Sequence, residues 1–257
     1  MTSLDRRRFL VRAAAGGSAL LLAGCDKLSE TPWVRAVLGG ATDVTKTAQR
    51  AILPRSQLAR TYPKSAISKE FRANGSTDPD NPDYKKLAAN HFTDWKLEIG
   101  GLVEHPQTLS LAALRAMPAQ TQITRHDCVE GWSCIGQWTG VRLSHVLDMA
   151  KLKPQAKYLV FRCYDSLEQT LDNTGQYYET IDMVDAYHPQ TILAYAMNGE
   201  TLTIPYGAPL RVRVERQLGY KMAKYIRRID AVESFADIAR GKGGFWEDRG
   251  YQWYAGV

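Results

Sequence analysis

From Asn90 onward, apolar residues fall into registers that the first third of the chain lacks. Trp95, Leu97 and Ile99 alternate with Lys96 and Glu98 and stop at Gly100-Gly101, the period-2 pattern of a half-buried strand. Ser110 is placed to cap a short helix that runs to Met117 and ends at Pro118. A strand over Thr121–Thr124 leads into Cys128. After Gly140 the positions Val141, Leu143, Val146, Leu147 and Ala150 return at a helical spacing, and Pro154 closes that element.

Lys157–Cys163 is rich in strand formers, and Thr180 opens a short helix through Ala186. Ile192–Met197 and Thr201–Ile204 flank Asn198-Gly199, a strong hairpin signal. Leu210–Val214 alternates apolar residues with arginines, which puts Arg211 and Arg213 on one face of a strand. A last strand spans Tyr225–Val232. Strands outnumber helices without regular βαβ alternation, so the class is α+β, mainly β.

Before Asn90 the pattern is different. Arg6-Arg7-Arg8-Phe9-Leu10 precedes an uncharged run of small residues and leucines, Ala13 to Ala23. This is the layout of an export signal of the twin-arginine type, too short and glycine-rich for a membrane span. Leu22-Ala23-Gly24-Cys25 matches a bacterial lipobox, in which Cys25 becomes the lipidated first residue. Residues 26–85 show no sustained apolar period and include the turn-forming run Thr77–Asp83, consistent with an extended arm; Trp33–Leu38 is its one candidate helix. The division is therefore a signal over 1–25, an arm over 26–85 and a folded domain over 86–257.

Charge and composition narrow the function. The 257 residues carry 33 Lys and Arg against 27 Asp and Glu, a net charge of +6. Without residues 1–25 the balance is 29 against 26, or +3, too small for a broad nucleic-acid surface and better suited to a local anion site. The 44% hydrophobic content is enough for a sizeable core.

Cysteine chemistry centres on Arg125-His126-Asp127-Cys128-Val129-Glu130-Gly131-Trp132-Ser133. Cys25, Cys128, Cys134 and Cys163 show no zinc spacing. With Cys25 lipidated, three thiols remain, and a Cys134–Cys163 disulfide is compatible with the sequence. Cys128 follows a strand and has His126 and Glu130 close by. A thiolate there suits a soft metal, while His126 as a base would suit a cysteine hydrolase or thiol peroxidase. Spacing alone leaves both open.

The segment Cys128–Ser133 resembles the molybdenum-ligating segment of molybdopterin-dependent oxidoreductases with the sulfite oxidase fold. It is most similar to the bacterial periplasmic branch that includes the methionine sulfoxide reductase catalytic subunit. Asn90–Trp95, Tyr187–Glu200, Tyr206–Ile226 and the Gly243–Trp253 stretch match in the same order. The resemblance covers roughly residues 86 to 257. It implies a molybdenum held by one molybdopterin and by Cys128. Asn90, Thr93, Asp94, Cys163, Tyr206, Arg211, Met222, Ala223 and Lys224 would be cofactor contacts, and Glu130 and His126 would stand near the metal as proton-handling groups. Lys221 would add positive potential beside the cofactor phosphate.

Departures from the branch are Cys163 for a Thr, Tyr206 for an Asn, Thr93 for a Tyr and Asp94 for a Glu. The resemblance implies an exported two-electron oxygen-atom transfer enzyme that reduces an S-oxide or N-oxide small molecule. Its electrons would come from a separate carrier such as a membrane cytochrome, which a lipid anchor on the periplasmic side would help it meet. The alternatives are oxidation of sulfite or a related sulfur compound, where a CxGN pattern would be expected, and a non-catalytic lipid-anchored binding protein. The aromatic tail reads as a packing strap.

Overall fold

The structure is a computed structural model that describes residues 44–51, 56–172 and 174–257. The expected export signal, Cys25 and the Trp33–Leu38 helix lie outside the described residues. The chain divides into two units, Met1–Ile52 and Leu53–Val257. In the first, residues 44–51 are helical. Among the described residues no helix is long and apolar enough to cross a membrane.

The second unit holds ten strands in two sheets. β1 (Lys96–Gly101), β2 (Gln107–Ser110), β5 (Tyr158–Ser166), β6 (Gln176–Asp182) and β10 (Ile226–Val232) form one, in the order β2-β1-β10-β5-β6. β3 (Ala119–Asp127), β4 (Ser133–Arg142), β7 (Ile192–Met197) and β8 (Glu200–Thr201) form the other, with β9 (Arg211–Arg213) paired to β7. β1 and β10 run parallel, and every other paired couple is antiparallel.

Four helices fill the connections: α1 (Pro82–Ala89), α2 (Leu111–Ala116), α3 (Leu143–Ala150) and α4 (Met183–Ala186). Ser110 caps α2 through its hydroxyl, which accepts from the Ala113 N–H at 3.1 Å, as the sequence predicts. α3 places Leu143, Val146, Leu147 and Ala150 in the core, again as expected. One apolar cluster takes Leu97, Ile99, Leu159, Phe161 and Ile229 from the first sheet, Val141 and Leu193 from the second, and the buried face of α3. A smaller cluster joins Phe71 of the arm to Trp138, Ile192, Ala194, Met197 and Leu202.

Two expectations need correction. Thr180 does not open a helix: it lies inside β6, and α4 starts at Met183, where the Asp182 carboxylate accepts the Val184 and Asp185 N–H groups. The arm is not extended throughout, because residues 44–51 are helical and the first half of α1 lies inside residues 26–85, with Pro82 in its first turn and Asn81 as its cap. The Cys134–Cys163 pairing that the sequence leaves open is not formed: Cys128, Cys134 and Cys163 are all free thiols, with Cys134 on β4 and Cys163 buried on β5 of the other sheet.

Candidate active site around Cys128

β3 and β4 pair tightly up to Asp127↔Ser133, and the residues between them make a short loop. The Cys128 carbonyl accepts from the Gly131 N–H at 3.0 Å, and the Cys128 N–H donates to the Trp132 carbonyl at 2.9 Å. Gly131 sits at φ +85°, a conformation that side-chain-bearing residues rarely adopt. Asp127 is tied down by the Ser133 hydroxyl at 2.5 Å and by Arg125 Nε at 2.9 Å, so it serves the loop. Glu130 is exposed and accepts from the Trp132 indole N–H at 2.9 Å.

Cys128 is buried and lines a cavity of about 100 Å³. Burial pushes the thiol pKa up; backbone hydrogen bonds from Glu130 and Val129 and the charge of Arg72 act the other way. A thiolate in this position is stabilised by a directly bonded cation. Tyr177, Tyr220, Trp246 and Tyr251 supply aromatic walls, Asn74–Ser76 of the arm closes one side, and Asp165, Met222 and Lys224 complete the lining. The tail therefore does more than strap the domain, since Trp246 and Tyr251 form part of this wall.

Behind the cavity lies a concentration of buried positive charge. Arg211 and Arg213 hold their guanidinium carbons 4.8 and 4.4 Å from the Trp138 ring centroid. Arg213 is paired with Glu215, through Nε at 2.9 Å and Nη2 at 2.8 Å. Arg211 reaches only the Tyr206 carbonyl at 3.0 Å and the Met222 carbonyl at 3.5 Å, its Nε has no hydrogen-bond partner, and among the described residues no carboxylate pairs with it. Burial and Arg213 push its pKa down to about 9. Lys224 Nζ donates to the carbonyls of Asn74, Ser76 and Pro205.

His126 is fully buried but does not line the cavity. Arg213 Nη1 lies 2.9 Å from its Nδ1, and since a guanidinium only donates, Nδ1 is the acceptor and Nε2 carries the proton. Burial, then Arg213, Arg211 and Lys224, hold its pKa well below the usual value. Gly219 makes this packing possible, because a Cβ there would stand 2.4 Å from both Cε1 and Nε2 of His126.

The remaining expected contacts are divided. Met222 and Lys224 line the Cys128 cavity, with Ala223 buried between them. Cys163 is fully buried near Lys224, its pKa raised by burial, Asp165 and Glu179. Tyr206 turns its hydroxyl to the Phe71 carbonyl at 2.7 Å, leaving its own carbonyl to Arg211. Asn90 and Asp94 line a different cavity with Arg162, Tyr164 and Arg227, while Thr93 is exposed and donates to the Asn90 carbonyl. Asn90 Oδ1 is buried there without a partner. Lys221 stands apart from the phosphate-facing group, enclosed between Glu179 and Glu247. Asp165, Tyr177 and Tyr220 are cavity residues that sequence reasoning missed; the spacing of Asp165 from Cys163 on one strand face was the available signal for the first.

A thiol at a hairpin tip, a cavity in front of it and unpaired buried cations behind it define a site built for a cofactor with a soft metal end and an anionic end. Residues 84–237 match the oxidoreductase molybdopterin binding domain. Over 251 residues the chain is 36% identical to the candidate protein-methionine-sulfoxide reductase subunit YedZ1 of Azospira oryzae, covering 98% of this chain and 87% of that one. It is 31% identical over 241 residues to the protein-methionine-sulfoxide reductase catalytic subunit MsrP of Xanthomonas axonopodis pv. citri, covering 91% and 72%. The sulfane dehydrogenase SoxCD of Paracoccus pantotrophus aligns with a TM-score of 0.49 at 24% identity, covering 55% of this chain and 39% of that one. The chain belongs to the oxidoreductase molybdopterin binding domain family, and it is an oxidoreductase that uses molybdopterin and molybdenum.

Proposed function

We propose that the protein reduces an S-oxide, with Cys128 as the protein ligand to molybdenum. The observation that carries this reading is the position of Cys128, the one thiol facing the aromatic-walled cavity among the described residues. Its support outside the chain is the naming of relatives at 31–36% identity as protein-methionine-sulfoxide reductase subunits.

The residues present fit the cofactor. Arg211 Nε is a buried donor without a partner, and Lys224 is a cation held only by carbonyl oxygens; both are ready for a phosphate. Backbone groups of Met222 and Ala223 lie between them. When bound, the cofactor supplies the two-electron redox chemistry. The chain orients it through Cys128, Arg211 and Lys224. Tyr177, Tyr220, Trp246 and Tyr251 exclude water from an apolar substituent on sulfur.

Asn90 and Asp94 line the second cavity and Thr93 is bonded to the Asn90 carbonyl, and their part in the proposal is to hold the pterin end from that side. Cys163 and Tyr206 stand against Lys224 and Arg211 and set the polarity there. Export by the twin-arginine route, attachment through Cys25 and electrons from a membrane cytochrome or other carrier belong to the same proposal. It is tested by purifying the full chain with adequate cofactor supply, measuring molybdenum per chain, and comparing reduction of methionine sulfoxide, dimethyl sulfoxide and trimethylamine oxide with oxidation of sulfite, using artificial electron carriers. Molybdenum-loaded protein that oxidises sulfite and leaves every S-oxide untouched would refute the S-oxide reading.

A further inference from the structure

S-oxide reduction consumes protons as well as electrons, and the two acids nearest Cys128 in sequence are poorly placed to deliver them. Asp127 is committed to Ser133 and Arg125, and Glu130 is exposed with its carboxylate on the Trp132 indole. His126 sits behind the cavity with Nδ1 occupied by Arg213. Glu130 shares the cavity wall with Asp165, but it is exposed and already bonded. Asp165 combines what none of the three does: it is 3% exposed, it lines the Cys128 cavity, and its Oδ1 has no hydrogen-bond partner. An unsatisfied buried carboxyl costs about 1–3 kcal/mol, so its presence on a cavity wall calls for a use.

We propose that Asp165 is the proton donor of the site, delivering a proton from the cavity wall to the oxygen that leaves sulfur. The assignment rests on the reading of the protein as an S-oxide reductase. In the balanced reaction one S-oxide, two protons and two electrons give one thioether and one water. The S–O bond breaks, sulfur is reduced and keeps a lone pair, and oxygen leaves as water. A one-electron carrier outside the chain is oxidised twice, the Asp165 carboxyl gives one proton, and solvent gives the second and reprotonates Asp165.

The surroundings of Asp165 agree with this role. Burial raises its pKa to about 7, with Lys224 opposing. Lys224 is lowered to about 7 by burial and Arg211, with Asp165 and Cys163 opposing, and its ammonium hydrogens are engaged by the three carbonyls. Burial raises the pKa values of Tyr84, Tyr177 and Tyr225 and of the Cys163 thiol, so these neighbours stay neutral near pH 7. Arg211 on β9 acts on Lys224 and stays cationic near pH 7. Asp165 and Lys224 both exchange a proton near neutrality; the Lys224 ammonium is engaged by carbonyls, whereas Asp165 keeps an unbonded carboxyl oxygen on the cavity wall, which places the delivery there.

The test uses the molybdenum-loaded full chain with Asp165→Asn and Asp165→Glu. Molybdenum and pterin content per chain should match the parent in both. Infrared difference titration should show a carboxylic acid signal lost near neutrality in the parent and missing from Asp165→Asn. In the parent, kcat/KM for methionine sulfoxide should fall as pH rises through neutrality. Asp165→Asn should be slower by on the order of 100-fold and lose that inflection, and Asp165→Glu should restore it at a shifted midpoint. Asp165→Asn with parental rate and inflection overturns the proposal, as does a variant that purifies with depleted pterin, which would make the carboxyl a cofactor-holding group. Parent protein whose infrared signal titrates at an ordinary carboxylate value overturns it without any variant. If the loaded parent reduces no S-oxide while the signal still titrates near neutrality, the reductase reading has failed and takes this role with it.

Discussion

Replacing Lys221 with Met should destabilise the domain by about 3–5 kcal/mol at pH 7, and by much less at pH 4.5. Lys221 is fully buried, and its ammonium lies 2.5 Å from Glu179 Oε1 and 2.5 Å from Glu247 Oε1. Glu179 also accepts the Thr180 N–H at 2.7 Å. Burial and the neighbouring Glu247 push the Glu179 pKa well above its usual 4.5, and Lys221 opposes them. Without the ammonium a carboxyl of the pair must be protonated or stay charged and unpaired. Protonating a carboxyl of pKa 4.5 at pH 7 costs roughly 1.4 × 2.5, or about 3.4 kcal/mol. That agrees with the typical loss of about 3–5 kcal/mol when one partner of a buried ion pair is removed.

The pH dependence follows from the same carboxyls. A carboxyl with a raised folded pKa binds a proton in the native state that the unfolded state releases above 4.5, so stability falls as pH rises above that value. Lys221 is the group that holds the Glu179 pKa down, so Lys221→Met strengthens this dependence. The difference in unfolding free energy should therefore grow by up to about 1.4 kcal/mol per pH unit above 4.5. Urea unfolding followed by tryptophan fluorescence at several pH values from about 4.5 to about 8 measures it. A loss below about 1 kcal/mol that does not change with pH would refute the argument. Because Glu247 adjoins Trp246 of the cavity wall, the variant should also lose protection of the tail from proteolysis.

Gly219→Ala drives a methyl group into the His126 ring at 2.4 Å and should lower stability by about 1–3 kcal/mol, read by thermal unfolding. Arg211→Met removes a buried cation that no carboxylate neutralises; the cofactor-free protein should unfold at the same or higher urea concentration than the parent while cofactor content falls, measured by pterin fluorescence after denaturation. Cys128→Ser should abolish or strongly change the Mo(V) paramagnetic signal, and Cys134→Ser should leave it unchanged, because Cys134 faces the Glu70 carbonyl at 3.8 Å beside the smaller core cluster.

Much of the framework is legible because its buried faces are periodic. β1 alternates exposed and buried residues, α3 buries a helical stripe, and α2 carries its capping serine. β6 misleads for the opposite reason. It buries Tyr177, Tyr178, Glu179, Thr180 and Ile181 in succession, so it has no polar face, and Thr180 followed by Asp182 imitates the start of a helix. The partners that make Glu179 tolerable lie 42 positions away at Lys221 and, beyond that, at Glu247 in the tail. No local pattern reports such a pairing. Asp165 is hidden similarly, since only the fold brings β5 to the cavity that Cys128 faces from the β3–β4 loop.

Two kinds of buried cation look alike in the sequence and are separated by the fold. The stretch Arg211 to Lys224 supplies Arg211, Arg213, Lys221 and Lys224, all essentially buried. Arg213 is neutralised by Glu215, and Lys221 by Glu179 and Glu247, so the charge of each is used inside the fold. Arg211 has only backbone carbonyls as hydrogen-bond partners, and carbonyl dipoles do not cancel a buried charge. Lys224 is likewise bonded to carbonyls, with Asp165 as the carboxylate that acts on it. An isolated domain would be more stable with an apolar residue at position 211. On the proposed reading an anionic group from outside the chain accounts for the Arg211 cation, so the charge left unpaired by the fold, rather than the total positive charge, would mark where the cofactor is held.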